Sequence, residues 1–517
     1  MKKYFALFIG LAGIMSAYAQ QGEMDALRYS QIPLSGTAHY RGMAGAFTAL
    51  GGDISSIGQN PAGIAVYRKS ELAMTLNLSN IGTQTKSADT GVDESLTRFS
   101  FDNIGYIGSA KMKEIGSGIM NWNFGFVYNR LNSFDRNYTG KVRIDKNSKY
   151  SSLSDYIADS SFGIPENDLI YEKGVYDPYF DSNISLLSIL GYEGKLIEAS
   201  GADRYVSTLS GDMRDSELNI SERGHIDEFD LAFGFNYSNL LYVGLTLGIM
   251  DVNYNLSSYY RENFDNDKFA LESGLSSNGA GINVKLGAIL CPTYAWRIGL
   301  AYHSPTYYSM TDYNYGYVDN FGAANNAETQ DLGGIEYELQ TPQKLLLGTA
   351  LLNEKGVLSL DYEYCDYSTM RLKNNNGVSA AYAFDNDKIQ EHMVGTHTIR
   401  LGAEYRVTPD VSLRAGYAHV TSPFSSEVKD GKAEIFSGGT NHAYTINKGS
   451  DYYTCGLGYR HDNIYLDLAY VMDSKNEDSY TFSPMFYSNT NEQFIYPSVS
   501  SLKTKRSNVL LTFGVKF

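Results

Sequence analysis

The sequence predicts an all-β protein: a transmembrane antiparallel β-barrel of about 14 strands, with a small N-terminal helical or loop segment in its lumen. Three observations predict this fold. They are an export signal at the N-terminus, a series of segments in which apolar and polar residues alternate, and a final alternating segment that ends on Phe517. The composition agrees, because 43 Tyr and 24 Phe favour half-buried pleated surfaces and 50 Gly suit turns and a crowded barrel interior.

Residues 1–19 have the features of a signal peptide. Two lysines open the chain, residues 5–15 are apolar, and Ala17-Tyr18-Ala19 has the small-x-small pattern of a cleavage site. The apolar run is shorter than the roughly 20 residues that a membrane-spanning helix needs. We therefore expect an exported protein whose mature chain starts near Gln20.

The charge and the cysteine content exclude several classes of protein. A net charge of −16 at pH 7 argues against nucleic acid as a partner, because phosphate backbones bind basic surfaces. No stretch after residue 19 approaches the roughly 18 consecutive apolar residues of a transmembrane helix. Cys291, Cys365 and Cys455 are widely spaced and form no CxxC pair, so we expect neither a disulfide framework nor a zinc site. We also expect no other metal and no cofactor.

The strands are predicted from their alternation. A membrane-crossing strand needs about 9–11 residues that are apolar on the lipid side and polar or small on the lumen side. In residues 228–238, apolar side chains such as Phe229 and Leu231 alternate with Asp230 and Ala232. Fourteen segments fit this template: 72–80, 104–112, 119–131, 228–238, 241–250, 281–290, 295–303, 344–352, 357–365, 398–407, 411–419, 453–460, 463–471 and 507–517.

The connections between these segments alternate in length, as in outer-membrane barrels, where short periplasmic turns alternate with long outer loops. Short connections follow every even-numbered segment: 113–118, 239–240, 291–294, 353–356, 408–410 and 461–462. Long connections follow every odd-numbered segment and are predicted to be extracellular: 81–103, 132–227, 251–280, 304–343, 366–397, 420–452 and 472–506. Both ends of the barrel, predicted over 71–517, therefore lie on the periplasmic side.

The last segment alternates up to the final residue. Val509, Leu511, Phe513 and Val515 form its apolar face, and the chain stops at Phe517. A terminal amphipathic strand that ends in Phe resembles the assembly signal of outer-membrane barrels. We therefore expect the barrel-assembly machinery to be a partner through Phe517, with an ordinary C-terminal edge strand as the alternative.

Residues 20–70 precede the first predicted strand and do not alternate like one. Their small-residue stretch, 42–52, suits one or two compact helical turns, and Met43, Phe47 and Leu50 are too apolar to be left in water. A barrel of eight strands is filled by its own side chains, whereas fourteen strands enclose a wider lumen that is open unless a further segment occupies it. This segment is therefore predicted to lie in the lumen.

Two runs of residues carry a resemblance to a known family: RGMAGA at 41–46 and DISSIGQNPAGIA at 53–65. They resemble the N-terminal hatch of the FadL/TodX family of outer-membrane transporters of hydrophobic compounds, whose hallmark is Asn-Pro-Ala followed by a small residue. The strand end at 296–305 and Thr341-Pro342 are further similarities. In architecture, with fourteen strands and a luminal hatch, the resemblance covers the whole mature chain. The part of the resemblance that rests on specific residues is confined to roughly 38–70 and a few strand ends.

The candidate site residues lie in this hatch and beside it. Asn60 is suited to cap a turn, Pro61 fixes the backbone, and Ala62 and Gly63 allow close approach to the barrel wall. The resemblance further implies an inward kink in the third strand that opens a lateral gap next to the hatch. Gly125, the one luminal glycine of that segment, is our candidate for the kink; the alternative is that it makes room for a bulky neighbour.

The resemblance implies a passive transporter in the outer membrane that takes up hydrophobic small molecules, either long-chain fatty acids or aromatic hydrocarbons. We expect it to be a multi-pass monomer in contact with outer-membrane lipids and without catalytic activity. The alternative is a non-transporting barrel that acts as a surface scaffold or secretion partner, since the outer loops are rich in Tyr, Asn, Asp and Ser. The eight histidines show no catalytic or haem-ligating spacing, which argues against a hydrolase or a haem receptor.

Overall fold

A computed structural model of the chain describes residues 21–87, 90–112, 118–145, 148–172, 175–181, 184–201 and 203–517. The predicted signal peptide, residues 1–19, lies outside the described residues. Most of the short connection predicted at 113–118 lies outside them as well.

The described residues form a closed barrel of fourteen antiparallel strands, which confirms the predicted fold class. Each strand pairs with its neighbours in sequence order, and the first strand pairs with the last to close the ring. All fourteen predicted segments lie on these strands: β1 Glu71–Lys86, β2 Gly91–Lys111, β3 Ile119–Ser133, β4 Met213–Tyr237, β5 Leu241–Phe264, β6 Lys268–Leu290, β7 Trp296–His303, β8 Lys344–Leu352, β9 Gly356–Asp366, β10 Gly395–Arg406, β11 Val411–Val420, β12 Tyr444–His461, β13 Ile464–Tyr480 and β14 Val499–Lys516.

The two faces of the wall follow from the alternation along each strand. In β14, Leu511 and Phe513 are exposed on the outside, whereas Leu510 and Thr512 are buried on the inside. Lipid favours apolar side chains on the outer face, and the lumen accepts polar or small ones. Cys455 on β12 is exposed on the outer face, where a thiol behaves as a small apolar group.

Many strands continue past their predicted ends on the side of the long connections, which we call the outer end. The predicted segment 228–238 is the last part of β4, and residues 81–86, predicted in an outer loop, belong to β1. In these extensions the strands stay paired by backbone hydrogen bonds, although their outward side chains are no longer apolar. Beyond the membrane, both faces of a strand can be polar. The pattern used to find the strands is therefore absent from these extensions.

Shorter elements complete the outer end and form what we call the outer cap. Its strands are Arg136–Arg143, Ile197–Gly201, Arg204–Ser207, Tyr307–Asn320, Asn325–Glu328, Ile335–Gln340, Arg371–Asn374, Met485–Phe486 and Gln493–Ile495. Its helices are Leu153–Ser160, Leu186–Glu193, Ala383–His392 and Ser426–Lys429, with 3-10 turns at Glu166–Leu169, Pro178–Phe180, Tyr367–Thr369 and Ser379–Tyr382. One buried apolar cluster, including Leu190, Phe269 and Phe482, joins these elements, so the long connections form a packed cap rather than separate loops.

The N-terminal residues lie inside the barrel. Their helices are α1 Glu23–Ser30, α2 Ala38–Gly42 and α3 Ser56–Gln59, followed by the 3-10 helix Pro61–Val66. We use the name hatch for residues 37–67, which pack against the wall, and N-terminal segment for residues 21–36, which lie nearer the outer cap. Within the described residues, no helix is both long and apolar enough to cross a membrane.

Candidate functional site

Asn60 organises the hatch from a fully buried position. Its Oδ1 accepts a hydrogen bond from the backbone N of Ala62 at 3.0 Å, which caps the 3-10 helix at the end where Pro61 begins it. Its Nδ2 donates to the backbone oxygens of Thr48 at 2.5 Å and of Ala288 at 3.3 Å. One side-chain amide thus joins the turn at Thr48 to the 3-10 helix and ties both to β6.

The barrel wall meets the hatch through glycines. A Cβ atom on Gly287 would lie 1.9 Å from Oδ1 of Asn60, and one on Gly244 would lie 2.2 Å from the backbone oxygen of Pro61. A side chain at such a position would displace the hatch, so the close approach requires glycine. Among the described residues, nine wall glycines would place a Cβ within 3 Å of a hatch atom, and we call them the glycine collar: Gly105, Gly125, Gly234, Gly244, Gly287, Gly299, Gly348, Gly402 and Gly416.

A buried charge cluster supports the third hatch helix. The Nζ atom of Lys285 lies 2.7 Å from Oε2 of Glu228 and 3.1 Å from Oδ1 of Asp230. These three side chains, which we call the Lys285 triad, are 4%, 1% and 0% exposed. Asn129 donates to the second oxygen of Asp230 at 3.2 Å. Because Gly58 packs directly on the triad, these charges form part of the surface that receives the hatch.

A second charged group holds the hatch through His39. Its Nδ1 lies 3.2 Å from Oδ2 of Asp53, within the hatch, and its Nε2 lies 3.1 Å from Oε2 of Glu404 on the wall. Arg414 pairs with the same Glu404 oxygen at 2.6 Å and with Asp467 at 2.5 Å. Burial and Arg414 lower the pKa of His39, but the hydrogen bonds and charges of Asp53 and Glu404 outweigh them, so its pKa is raised above the ordinary 6.5.

We expect the hatch to loosen as the pH rises. A group whose pKa is raised on folding stabilises the folded state below its unfolded pKa, and this stabilisation is lost as the pH passes through the folded value. Between about pH 6 and pH 9, amide exchange at residues 38–53, corrected for its intrinsic pH dependence, should therefore accelerate. His39→Gln should exchange fast at both pH values, and exposed His461→Gln should behave as wild type. Exchange that is independent of pH in the wild type would contradict a role for His39.

The N-terminal segment connects the hatch to the outer cap. Nδ1 of His392 lies 2.7 Å from Oε2 of Glu23, and both side chains are buried. The hydroxyl of Tyr382 donates to Oε1 of Gln21 at 2.8 Å. The start of the described chain is thus held by cap residues, and α1 lies between the cap and the hatch.

A cavity of about 260 Å³ lies between the N-terminal segment and the wall. Apolar side chains from the segment, the wall and the cap line much of it: Met24, Leu27, Ile32, Phe134, Leu256 and Phe424. Charged side chains line the rest: Arg28, Arg136, Glu222, Asp473, Lys475, Glu477 and Arg506. The cavity therefore suits an apolar molecule, and one part of its wall is polar.

The structure places four of the predicted site residues together and the fifth, Gly125, beside the same 3-10 helix. Asn60, Pro61, Ala62 and Gly63 form the start of the 3-10 helix, and a Cβ on Gly125 would lie 2.9 Å from the side chain of Ile64 in the same helix. Gly125 pairs with Ile107 and Ala232, and the register shifts of β3 lie elsewhere, at 119–121 and 130–132. Gly125 thus belongs to the collar, and a gate at this position stays a prediction.

Sequence reasoning missed the rest of the collar and the Lys285 triad. A signal for the collar was present, because many predicted strands carry a glycine near the middle of the luminal face. The triad had no such signal, since Lys285 lies 57 and 55 residues away from Glu228 and Asp230 in the chain. In the part of the chain that the structure describes, no group of three or more His, Cys, Asp or Glu side chains is arranged to hold a metal ion.

Solved structures similar to this one include a FadL homologue of Pseudomonas aeruginosa, with 12% identity over 94% of this chain and 99% of that chain, and a TM-score of 0.49. The P. putida toluene transporter TodX shares 11% identity over 93% of this chain and 99% of its own, with a TM-score of 0.49. The Ralstonia pickettii toluene transporter TbuX shares 13% identity over 93% and 98%, with a TM-score of 0.46. No curated protein matches the sequence.

One family model matches the middle of the chain. Residues 227–465 match the model described as outer membrane protein transport protein (OMPP1/FadL/TodX). The matched segment runs from the membrane-crossing part of β4 into β13 and contains the Lys285 triad and most of the glycine collar. Over this segment the chain is therefore similar to the OMPP1/FadL/TodX family of outer membrane transport proteins.

Proposed function

We propose that this protein is a passive transporter that takes up hydrophobic small molecules, such as long-chain fatty acids or aromatic hydrocarbons, through its hatch-plugged barrel. The observation that carries the proposal is the partly apolar cavity of about 260 Å³ between the N-terminal segment and the wall. Each CH₂ group buried there contributes about 0.8 kcal/mol to binding. Capture from dilute solution therefore follows from apolar contact alone.

The route requires no chemistry on the ligand. A molecule first meets the outer cap, then enters the cavity, and leaves beside the hatch, whose folded position defines the exit. Buried charges near the hatch, such as the Lys285 triad, form ion pairs with one another. We infer that the protein is not an enzyme and uses no cofactor.

Deleting residues 60–62 should lower uptake several-fold without lowering the amount of assembled barrel. The deletion removes the amide of Asn60, which makes three hydrogen bonds worth about 1 kcal/mol each. Uptake of labelled fatty acids and aromatic hydrocarbons by cells provides the measurement. Asn491→Ala, at an exposed asparagine of the outer cap, is the control and should leave uptake unchanged. Unchanged uptake of both substrate classes after the deletion would rule out the transport proposal for them.

A second candidate function is a surface scaffold or secretion partner. The outer cap exposes Phe162, Val175 and Phe180 at 54%, 80% and 63% of their surface, and such side chains commonly contact another protein. Affinity purification of the intact protein from solubilised membranes tests this candidate. A stoichiometric partner, found together with normal uptake in the hatch deletion, would favour the scaffold over the transporter.

We further propose that the barrel-assembly machinery recognises Phe517 and that the assembled protein is a monomer surrounded by membrane lipid. The backbone N and O of Phe517 pair with the O and N of Ser70, both at 3.0 Å, while its ring stays 61% exposed and stacks on Tyr106. The ring is therefore accessible at the seam where the barrel closes.

Phe517→Ala should reduce the assembled barrel in the membrane several-fold, because the exposed ring is removed while the backbone pairing is kept. Quantitative blotting of heat-modifiable barrel measures this amount. Phe99→Ala, at an equally exposed phenylalanine on the outer wall, should have little effect. Equal amounts of assembled barrel for both variants would contradict recognition of Phe517.

A further inference from the structure

One side of the cavity is formed by β13 and β14. Asp473 and Arg506 are direct cross-strand partners on these strands, and Lys475 lies two residues further along β13 on the same face. All three side chains line the cavity. The N-terminal segment lines another part with Met24 and Leu27, so a bound molecule meets both apolar and charged groups.

Asp473 and Arg506 have hydrogen-bonding capacity that the described residues do not fill. Oδ1 of Asp473 is shielded from solvent and has no hydrogen-bond partner. Nη2 of Arg506 donates only to main-chain oxygens, those of Ser133 at 3.0 Å and of Asp135 at 3.4 Å. A buried polar atom without a partner costs about 1–3 kcal/mol. A ligand atom that supplies the missing contact therefore gains binding energy.

The other charged groups of the cavity have partners. Arg136 lies 2.6 Å from Glu222 and 2.9 Å from Glu477, and Lys475 lies 3.4 Å from the same Glu477. The guanidinium of Arg28 lies over the ring of a wall tyrosine at 4.6 Å. The lining as a whole carries four cations, Arg28, Arg136, Lys475 and Arg506, and three carboxylates, Glu222, Glu477 and Asp473. The contacts left for a ligand are therefore those that Asp473 and Arg506 lack.

We propose that this cavity binds a compact hydroxylated hydrophobic molecule, such as an alcohol or a phenol, in preference to a bare hydrocarbon. The ligand hydroxyl donates to the carboxylate of Asp473 and accepts from Arg506 or Lys475, while the apolar body packs against Met24 and Leu27. A bare hydrocarbon would leave Asp473 without a partner, and sites that bind a hydroxyl discriminate strongly against analogues that lack it.

The size of the cavity limits the ligand as well. A volume of about 260 Å³ lies below the range of roughly 300–1,000 Å³ that is typical of drug-sized ligands. The inference rests on the proposed transport function, whose substrate class it narrows to small amphipathic molecules.

Three probes with the same apolar body test the proposal on the full-length purified protein: 4-ethylphenol, ethylbenzene and 4-ethylbenzoate. Equilibrium binding to the protein in detergent and uptake into liposomes that contain it are measured for each. We expect 4-ethylphenol to bind at least tenfold more tightly than ethylbenzene. Equal or tighter binding of ethylbenzene would overturn the inference.

Two variants locate the selection at Asp473. Asp473→Leu should abolish the preference for 4-ethylphenol over ethylbenzene while ethylbenzene still binds. Asp473→Asn keeps the size of the side chain and an acceptor oxygen but removes the charge, so 4-ethylphenol binding should persist and 4-ethylbenzoate binding should rise severalfold. Asp478→Leu, on the outer face of the same strand, is the control and should change neither ratio. A preference that survives Asp473→Leu would show that Asp473 does not select the ligand.

The outcomes separate the inference from the proposed function. Uptake of ethylbenzene that depends on residues 60–62, without any preference for 4-ethylphenol, overturns the inference and leaves transport standing. The absence of binding and of uptake for all three probes overturns both.

Discussion

Gly287→Val is expected to free the hatch and turn a closed barrel into a leaky one. The added Cβ would lie 1.9 Å from Oδ1 of Asn60 and 2.9 Å from the backbone N of Ala62, both in the best-anchored part of the hatch. Overpacking of this kind costs about 1–3 kcal/mol, and here it also breaks the cap of the 3-10 helix. The wall strand itself accepts valine readily, because β-branched residues suit strands. The barrel should therefore assemble while the hatch leaves its seat.

The permeability of liposomes to small hydrophilic solutes measures this effect, and we expect an increase of at least tenfold. A fourteen-stranded lumen without its hatch lies between the filled eight-stranded barrels and the open sixteen-stranded pores, so a water path is expected. Gly82→Val is the matched control, because its Cβ would have no neighbour closer than 3.9 Å. Permeability equal to that of the control would show that the collar does not hold the hatch in place.

Lys285→Met is expected to destabilise the protein by about 3–5 kcal/mol, because it leaves two buried carboxylates without their cation. Glu228 and Asp230 share the Lys285 ammonium at 2.7 and 3.1 Å, and none of the three side chains is more than 4% exposed. The carboxylates would then repel each other beneath Gly58 of the hatch. The loss should appear as a lower urea midpoint for the heat-modifiable barrel.

A rescue variant distinguishes lost charge balance from lost packing. Glu228→Gln and Asp230→Asn introduced together with Lys285→Met remove all three charges and should recover most of the stability. Lys69→Met, at an exposed lysine that contacts Asn463, should change the midpoint little. A free energy of unfolding for Lys285→Met within about 0.5 kcal/mol of the wild-type value would contradict the assigned role of the triad.

The prediction of the hatch from sequence worked because its signal is local. Asn60 and Pro61 are adjacent in the chain, and a proline preceded by a capping residue has the same meaning wherever it lies. Gly125 shows the limit of such reasoning: its place on the luminal face follows from alternation, but its contact with Ile64 requires the hatch to be in place. The strand extensions at the outer end could not be predicted in this way, because no membrane imposes an apolar face on them.

By itself, the sequence determined the membrane-crossing strands, the order of short and long connections and the final strand that ends at Phe517. Each of these features follows from a pattern within a short stretch of chain. Contact with lipid requires an apolar residue at every second position of a strand, and a short turn ends the alternation. The tertiary structure alone decided that Lys285 meets a carboxylate 57 residues away, that nine glycines form one collar, and that Asp473 lies opposite Arg506. The register between strands and the position of the hatch set these contacts, and alternation along a single strand leaves both undetermined.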